Sequence, residues 1–208
     1  MVRLILVRHG ETKWTAERRY QGHCNTPLTA QGCRHAAKAA RALQAVPVDF
    51  IYSSTLGRAR ETAQFIKKIL RRPVRHDSRL NELSFGRWEG RTAREIMRAG
   101  DRTYRAWIAG RKVSPPGGET LASFQKRTAR FLREICLRHK GKTVVLVSHG
   151  GTIKMMLCRL LKLPFRYFWV FRVDPASISV VRSDGKFSEC VCLNDRGHLG
   201  PKESLCRI

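Results

Sequence analysis

The sequence predicts an α/β fold with three layers, α/β/α, in which helices cover both faces of a mostly parallel sheet. Strand and helix patterns alternate along most of the chain, which is typical of a parallel sheet. Two strands, Leu4–Val7 and Val144–Val147, are short and wholly apolar, and a histidine–glycine pair follows each within two residues, at His9 and His149. Because the carboxyl ends of such strands form the ligand-binding crevice, we expect both imidazoles at one site.

Cap and break signals divide the first half of the chain. Thr29 is a typical N-cap for a helix over Ala30–Gln44, and Pro47 separates that helix from a strand over Val48–Tyr52. Apolar residues at helical spacing predict a helix over Gly57–Leu70. The next predicted elements are a short strand over Pro73–Arg75, a loop over residues 78–90, and two short helices over Ala93–Ala99 and Arg102–Ala109.

Helix breakers also divide the second half. The run Pro115–Gly118 precedes a long helix that starts at Glu119 or Thr120 and ends near His139. The second apolar strand follows, and then a helix over Thr152–Leu161 that ends before a proline. The predicted closing strands are Phe168–Val173, Ile178–Arg182 and Lys186–Leu193.

Length and composition indicate one globular domain. A chain of 208 residues with 42% hydrophobic content is large enough to bury a core without disulfides. We expect one domain over residues 1–199 and a C-terminal tail over residues 200–208. The first strand begins within three residues of Met1, and no segment approaches the ~20 apolar residues of a membrane span. We therefore expect a cytoplasmic protein with no membrane partner.

Cysteines and charge exclude several function classes. The seven cysteines are odd in number and lack metal-ligand spacing, which indicates free thiols rather than a disulfide framework or a zinc site. The net charge of +25 is spread evenly, with +12 in residues 1–104 and +13 in residues 105–208. The even spread argues against a dedicated nucleic-acid arm, although nonspecific binding at low salt is expected.

Chemistry-bearing motifs occur in a fixed order along the chain. They are Arg8–Thr12, Pro27–Thr29, Ser53–Ala59, Glu82 with Phe85–Gly90, and Ser148–Gly151. This ordered set, from Met1 to about Leu199, resembles the histidine phosphatase superfamily, also called the phosphoglycerate mutase-like family. The resemblance implies the α/β fold predicted above, a small phosphate ester as substrate, and a phosphohistidine intermediate.

The resemblance implies three catalytic residues. His9 matches the nucleophile, since a neutral imidazole nitrogen can attack phosphorus and nearby guanidiniums favour the neutral form. Glu82 matches the general acid and base, which protonates the leaving alkoxide and later activates water. Glu11 and Glu89 are the competing carboxylates. His149 matches the second histidine, which donates to a phosphoryl oxygen in the transition state.

Five residues are candidates for binding the phosphate. Arg8 and Arg58 are expected to clamp its oxygens, because guanidinium binds phosphate through two parallel hydrogen bonds. Gln21 and Gly22 are further candidates from the same resemblance. Thr15 stands where family members commonly have Asn, so its hydroxyl can still donate but reaches less far.

Three functions remain open from the sequence. The compact segment after Glu82 and the ending Leu193–Leu199 resemble the phosphatase branch, which includes α-ribazole phosphatases. We therefore expect a metal-independent phosphomonoesterase, with α-ribazole phosphate as one candidate substrate. A cofactor-dependent phosphoglycerate mutase and a non-catalytic basic binding protein on the same fold are the alternatives. No nucleotide loop or carboxylate cluster for Mg²⁺ is present, so no metal or cofactor is expected. The oligomeric state is open, with a homodimer among the options.

Overall fold

The central sheet has six strands within residues 1–200, the part of the chain that the computed structural model describes. The strands are β1 (Val2–Arg8), β2 (Phe50–Ser53), β3 (Val74–His76), β4 (Thr143–Ser148), β5 (Ile178–Ser183) and β6 (Ser188–Asp195). Their order is β3-β2-β4-β1-β5-β6. The four strands from β3 to β1 are mutually parallel, whereas β5 and β6 extend the sheet in antiparallel pairs.

Helices cover both faces of this sheet. They are α1 (Lys13–Ala16), α2 (Ala30–Ala42), α3 (Gly57–Leu70), α4 (Ala93–Arg98), α5 (Arg102–Ile108), α6 (Leu121–Arg138) and α7 (Gly150–Leu160). Helices α2 and α3 pack on one face and α6 and α7 on the other, so the sheet separates two apolar cores. The predicted three-layer α/β/α fold is confirmed.

The two cores follow from the period of two along a strand. In β1, Leu4 and Leu6 belong to the core under α6 and α7, whereas Ile5 and Val7 belong to the core under α2 and α3. The same alternation holds in β4, whose six residues are all buried. A strand that is covered on both faces must be apolar throughout, which is the pattern that the sequence shows.

One predicted strand is wrong. Phe168–Val173 does not form a strand; the chain instead makes a 3₁₀ helix over Phe165–Val170. Phe165 and Phe168 are both buried at a spacing of three residues, which suits a 3₁₀ turn and not a strand. Both rings pack on the buried Trp107, with centroids 5.5 Å and 6.1 Å from that ring. This long-range aromatic cluster determines the local conformation.

The segments predicted as irregular contain short turns. Helix α1 lies in the stretch after β1 and is closed by a capping box between Thr12 and Thr15. The segment 78–90 contains the 3₁₀ turns Ser78–Leu80 and Gly86–Trp88. Ser148 at the end of β4 donates its hydroxyl to the Leu80 carbonyl at 2.7 Å. That bond fixes the segment that carries Glu82 against the carboxyl edge of the sheet.

The last residues that the structure describes pack against the rest of the domain. Leu199 is buried, and Lys38 donates its Nζ to the Leu199 carbonyl at 2.8 Å. The predicted tail, residues 200–208, lies outside the described residues except for Gly200. Among residues 1–200, none of the helices combines the length and the apolar character needed to cross a bilayer.

Candidate active site

The two signature histidines meet at the carboxyl edge of the sheet. Strands β1 and β4 pair in parallel with Arg8 opposite Ser148, so the residues that follow them, His9 and His149, leave the sheet side by side. Their ring centroids lie 5.1 Å apart at an angle of 56°. Both side chains are buried, with exposed fractions of 2% and 0%.

The hydrogen bonds of His9 fix its tautomer. Its Nδ1 lies 2.7 Å from the carbonyl oxygen of Gly10, which can only accept, so Nδ1 carries the proton. Arg58 donates Nε–H to His9 Nε2 at 3.3 Å. Because a guanidinium has no acceptor, Nε2 presents a lone pair. Burial, and then the positive charges of Arg58 and Arg8, hold the pKa of His9 well below 6.5. The imidazole is therefore neutral at physiological pH.

Arg58 is held by backbone carbonyls. It begins the first turn of α3, is fully buried, and donates to the carbonyl oxygens of Cys24 at 2.9 Å and Gly22 at 2.8 Å. Burial lowers its pKa to about 10, so it remains charged at neutral pH. Gly22 adopts a left-handed conformation with φ of 51° and lies behind Arg58 rather than in the wall of the cavity described below.

Arg8 is half-buried and only partly hydrogen-bonded. Its Nη1 donates to the carbonyl of Val173 at 2.6 Å. Its Nε is buried and has no hydrogen-bond partner among the described residues. Burial lowers the pKa of Arg8, and the charges of Glu82 and Asp174 oppose that shift. A guanidinium whose enclosed Nε–H lacks a partner is a strong binding group for an anion.

A hydrogen-bonded chain orients His149. Ser54 donates its hydroxyl to Asn81 Oδ1 at 2.7 Å, so its oxygen accepts from His149 Nε2–H at 2.8 Å. The other ring nitrogen, Nδ1, is buried without a partner among residues 1–200. Burial, followed by the charge of Arg58, places the pKa of His149 well below 6.5. His149 lies behind His9 and does not line the cavity.

The carboxyl group of Glu82 sits at the N-terminus of α7. It accepts from the backbone N–H of Gly151 at 2.9 Å, of Thr152 at 3.0 Å and of Leu83 at 3.0 Å. A Cβ on Gly151 would lie 2.6 Å from Glu82 Oε1, so the glycine permits this close approach. Thr152 also ties the preceding segment to α7 by donating its hydroxyl to the Asn81 carbonyl at 2.8 Å.

The competing carboxylates have other roles. Glu11 accepts from the hydroxyl of Thr29, the N-cap residue of α2, at 2.8 Å. Glu89 accepts from the backbone N–H of Phe85 at 2.9 Å and of His23 at 3.1 Å, which closes the loop after Glu82. Among the described residues, Glu82 is the only acidic side chain that lines the cavity.

These groups surround a cavity of about 340 Å³. Its inner wall contains Arg8, His9, Arg58 and Glu82. Its other lining residues are aromatic, cationic or small, and they are Thr15, Arg18, Arg19, Tyr20, Gln21, Phe85, Ala93, Gly150, Gly151, Lys154, Phe168, Trp169 and Val173. The cavity therefore has a polar, positively charged base and an aromatic wall.

Thr15 and Gln21 both line the cavity, but they differ in whether a polar atom remains available to bind a ligand. The Thr15 hydroxyl donates to the carbonyl of Thr12 at 2.8 Å and accepts from its N–H at 2.8 Å, so it is engaged in the capping box of α1. Gln21 accepts at Oε1 from the hydroxyl of Thr12 at 3.1 Å and from that of Thr26. Its amide nitrogen has no partner in the described part of the chain and is the better placed of the two to donate to an anion.

Two residues that the motif analysis did not single out also contribute. Ser54 orients His149, and its position inside the Ser53–Ala59 motif was a usable signal. Lys154 lies one turn into α7 from Gly150, which places it on the same helix face. Its Nζ lies over the rings of Trp169 at 5.1 Å and Phe168 at 5.5 Å. The mistaken strand over Phe168–Val173 concealed that contact.

The residues that line this cavity are suited to one kind of chemistry. A neutral imidazole with an unprotonated Nε2, the guanidiniums of buried Arg58 and half-buried Arg8, and the carboxyl group of Glu82 surround a single cavity. Guanidiniums neutralise the charge of a phosphoryl group, and imidazole nitrogen is a competent nucleophile toward phosphorus. Among residues 1–200, no cluster of three or more His, Cys, Asp or Glu is arranged to hold a metal ion. The arrangement is typical of proteins that transfer a phosphoryl group to histidine.

Comparison with known proteins agrees with this interpretation of the site. Residues 4–196 match the histidine phosphatase superfamily (branch 1). Phosphoserine phosphatase 1 of Hydrogenobacter thermophilus is 38% identical over 201 residues, which cover 96% of this chain and 95% of that protein. Adenosylcobalamin/alpha-ribazole phosphatase of Escherichia coli is 34% identical over 196 residues, covering 94% of this chain and 97% of the relative.

Solved structures give the same result. A mutant phosphoserine phosphatase from Entamoeba histolytica in complex with phosphoserine matches with a TM-score of 0.86 and 33% identity, covering 96% of this chain and all of that one. The fold, the family match and the two relatives agree along nearly the whole chain. The chain belongs to the histidine phosphatase superfamily.

The protonation state of His9 can be measured directly. In protein labelled with ¹⁵N-histidine, we expect the signal of an unprotonated His9 Nε2 to persist from pH 8 down through about pH 6.5, where an ordinary histidine is half protonated. Burial and the adjacent guanidiniums disfavour the cation, so the proton binds only at a lower pH. The His9→Ala variant assigns the signal by its loss. A His9 signal that titrates near pH 6.5 would contradict the neutral form.

The role of Ser54 as a positioning residue is also testable. Ser54→Ala removes the acceptor for His149 Nε2–H, so the ring loses its fixed tautomer. We expect kcat/KM for a phosphate ester to fall about tenfold, the effect of one neutral hydrogen bond of roughly 1.4 kcal/mol. The ¹⁵N spectrum should show His149 as a mixture of tautomers. Ser53→Ala is the matched control, because Ser53 donates to the Ser54 carbonyl and not to His149. Unchanged His149 signals in Ser54→Ala would refute this role.

Proposed function

We propose that this protein hydrolyses a small phosphate monoester through a covalent intermediate on His9 Nε2. One observation carries the proposal: His9 Nε2 is unprotonated and accepts a hydrogen bond from Arg58, while its Nδ1–H is tied to the Gly10 carbonyl. A histidine in this form is ready to attack phosphorus without first losing a proton. Membership in the histidine phosphatase superfamily and the phosphatase names of the relatives make the chain a phosphatase.

The first step transfers the phosphoryl group to His9. The Nε2 lone pair forms the N–P bond while the P–O ester bond breaks, and the electrons of that bond go to the leaving oxygen. Glu82, the one carboxyl group at the cavity among residues 1–200, delivers a proton to this oxygen, so the product leaves as a neutral alcohol. The bond from Nδ1–H to the Gly10 carbonyl stabilises the positive charge that develops on the ring.

The second step returns the enzyme to its starting state. Water attacks phosphorus as Glu82 accepts one of its protons, the N–P bond breaks, and the electron pair returns to Nε2. Inorganic phosphate is released. One carboxyl group therefore acts as an acid in the first step and as a base in the second.

Positive charge at the base of the cavity stabilises both transition states. Arg8 and Arg58 neutralise the negative charge of the phosphoryl oxygens. In metal-dependent phosphatases a metal ion stabilises this charge. His149 does not line the cavity, so it completes this set only where a phosphoryl oxygen reaches past the cavity wall to its Nδ1, which is partnerless among residues 1–200, and that nitrogen gains a proton to donate. Its Nε2–H already donates to Ser54, so the donating form is the imidazolium, which a phosphoryl dianion favours by its opposite charge.

The cavity wall supports a small substrate with a second anionic group. Lys154 forms no ion pair with any described residue, and it faces the aromatic rings of Phe168 and Trp169 at the cavity. Burial and the charge of Arg8 disfavour the charged form of Lys154 and lower its pKa, and an anionic partner would offset that cost. Phosphoserine carries such a group, a carboxylate. α-Ribazole phosphate, the other candidate that the relatives suggest, carries none beyond its phosphate.

The catalytic assignment predicts a large loss of activity in two variants. With p-nitrophenyl phosphate in EDTA, His9→Ala and Glu82→Gln should each lose about two to three orders of magnitude in kcat, because each removes a group that acts in the transition state. Wild type should retain full activity in EDTA, since the guanidiniums carry the charge. Glu189→Gln, an exposed glutamate on β6 outside the cavity, serves as the control.

Two outcomes would refute the assignment. Equal rates for wild type, His9→Ala and Glu82→Gln would exclude a phosphohistidine route. Interconversion of phosphoglycerates stimulated by 2,3-bisphosphoglycerate, with little net phosphate release, would identify a mutase instead. Acid-labile ³²P-phosphate on wild type, lost in His9→Ala, is the expected direct evidence for the intermediate.

The role of Lys154 predicts a selective loss. Lys154→Met should lower kcat/KM for phosphoserine about tenfold or more, because one charged hydrogen bond contributes roughly 1.5–3 kcal/mol. The same variant should change kcat/KM for p-nitrophenyl phosphate, which lacks a second anion, by less than about threefold. Lys126→Met, at an exposed position on α6, is the control. Equal losses for both esters in Lys154→Met would show that the lysine does not select the substrate.

A further inference from the structure

A second cavity, of about 770 Å³, lies far from the active site. We call it the basic groove; its walls are α6, the C-terminal end of α7 and the turn between β5 and β6. Helix α7 starts beside Glu82 and reaches the basic groove with Arg159 and Leu160. Ser183, which also lines the groove, pairs with Val2 at the start of β1. The groove is therefore at the edge of the sheet opposite to His9.

The rim of the basic groove is strongly and almost uniformly cationic. Its cationic residues are Lys126, Arg130, Arg133, Arg159, Lys162 and Lys186. All six are exposed, and none forms an ion pair with any residue from 1 to 200. The one acidic residue in the lining, Asp184, is occupied by the backbone N–H groups of Lys186 at 2.8 Å and Phe187 at 2.7 Å.

The floor of the groove is apolar and, within the described part of the chain, contains no aromatic ring. Its apolar side chains are Ala129, Leu132, Cys136, Leu137 and Leu160. Leu137 is 62% exposed, whereas Leu132, Cys136 and Leu160 are 8% exposed or less, so Leu137 supplies most of the accessible apolar surface of these larger side chains. The groove thus offers apolar surface between two cationic walls.

The spacing of the lining side chains along α6 defines the length of the groove. Lys126, Arg130, Arg133 and Leu137 recur every three or four residues, so they form one ridge along the helix. With a rise of 1.5 Å per residue, this ridge is about 16 Å long, or three helical turns. Arg159, Lys162 and Lys186 stand on the other side of the apolar floor.

We propose that the basic groove binds an acidic amphipathic helix of a partner protein. The apolar face of such a helix would cover Leu137 and Leu160, and carboxylates on both flanks would meet the cations of the two walls. This pairing uses every feature of the groove: its length, its apolar floor and the charge on both sides.

Other anionic ligands fit less well. A single-stranded nucleic acid is usually held by aromatic side chains on which bases stack, and none lines the groove within the described residues. A small molecule is usually oriented by a few buried polar groups, whereas the cations here are long, exposed side chains. An inorganic polyanion would make no use of the apolar floor.

A designed peptide tests the proposal. The probe is a fluorescein-labelled helix of about 18 residues with leucines at positions i, i+3, i+4 and i+7 of each repeat and glutamates on both flanks. A scrambled peptide of the same composition has the same charge but no apolar face. In fluorescence anisotropy at about 150 mM salt, the wild-type protein should bind the probe at least about tenfold more tightly than the scrambled peptide.

Variants locate the binding surface. Arg130→Glu with Arg133→Glu, and separately Leu137→Asp, should each weaken binding of the probe about tenfold or more. The matched control is Lys67→Glu with Lys68→Glu on α3, which removes the same amount of charge from exposed positions on the other face of the sheet. The control should weaken binding less than about threefold. Hydrolysis of p-nitrophenyl phosphate should be unchanged in all three proteins, which shows that they are folded.

Four results would overturn the proposal, three of them with the peptides and one with oligouridylate. The first three are failure of the probe to bind wild type at about 100 µM, equal weakening by the two double variants, and equal affinity for the probe and the scrambled peptide. If oligouridylate binds more tightly than the probe and Leu137→Asp does not affect it, the groove is a nucleic-acid surface and the proposed partner is wrong. None of these results depends on the assignment of the active site.

Discussion

The parallel pairing of β1 with β4 is the constraint on which the active site depends. Arg8 stands opposite Ser148, so His9 and His149 leave the sheet at the same level. Both strands are buried on both faces, and a shift of one residue would exchange the side chains of the two cores. Core packing therefore fixes the relative height of the two imidazoles. The precision of the site follows from apolar side chains that take no part in its chemistry.

Buried positive charge is the second constraint. Arg8 and Arg58 are enclosed with two neutral imidazoles, and Glu82 is the only acidic side chain at the cavity among the described residues. Backbone carbonyls, those of Gly22 and Cys24 for Arg58, satisfy part of their hydrogen-bonding capacity. Carbonyl dipoles offset some of the desolvation cost but leave the net charge. A phosphoryl dianion supplies the missing counter-charge, so the same imbalance that disfavours the isolated site favours its ligand.

The sequence was sufficient to predict the site residues that directly follow strands. It failed for the residues and elements whose conformation depends on contacts between distant parts of the chain. β1, β4 and the residues after them were predictable, because a local apolar run and a local motif both report on the same edge of the sheet. The strand over Phe168–Val173 was wrong, because its apolar run fits either structure and only packing on Trp107 selects the 3₁₀ helix. Ser54 acts through Asn81 and His149, which are 27 and 95 residues away in sequence. No local pattern encodes such a chain of hydrogen bonds.

Helix α7 links the two charged regions without making them one system. Its N-terminus binds the Glu82 carboxyl group, while its last residues line the basic groove. Coupling between two sites requires an element with two alternative arrangements whose balance both ligands shift. α7 is packed in the core along most of its length, with seven of its eleven residues buried. A helix so enclosed holds one position. A partner in the groove would accordingly bring the enzyme to a location or a substrate source, and would leave the rate of the chemical step unaltered.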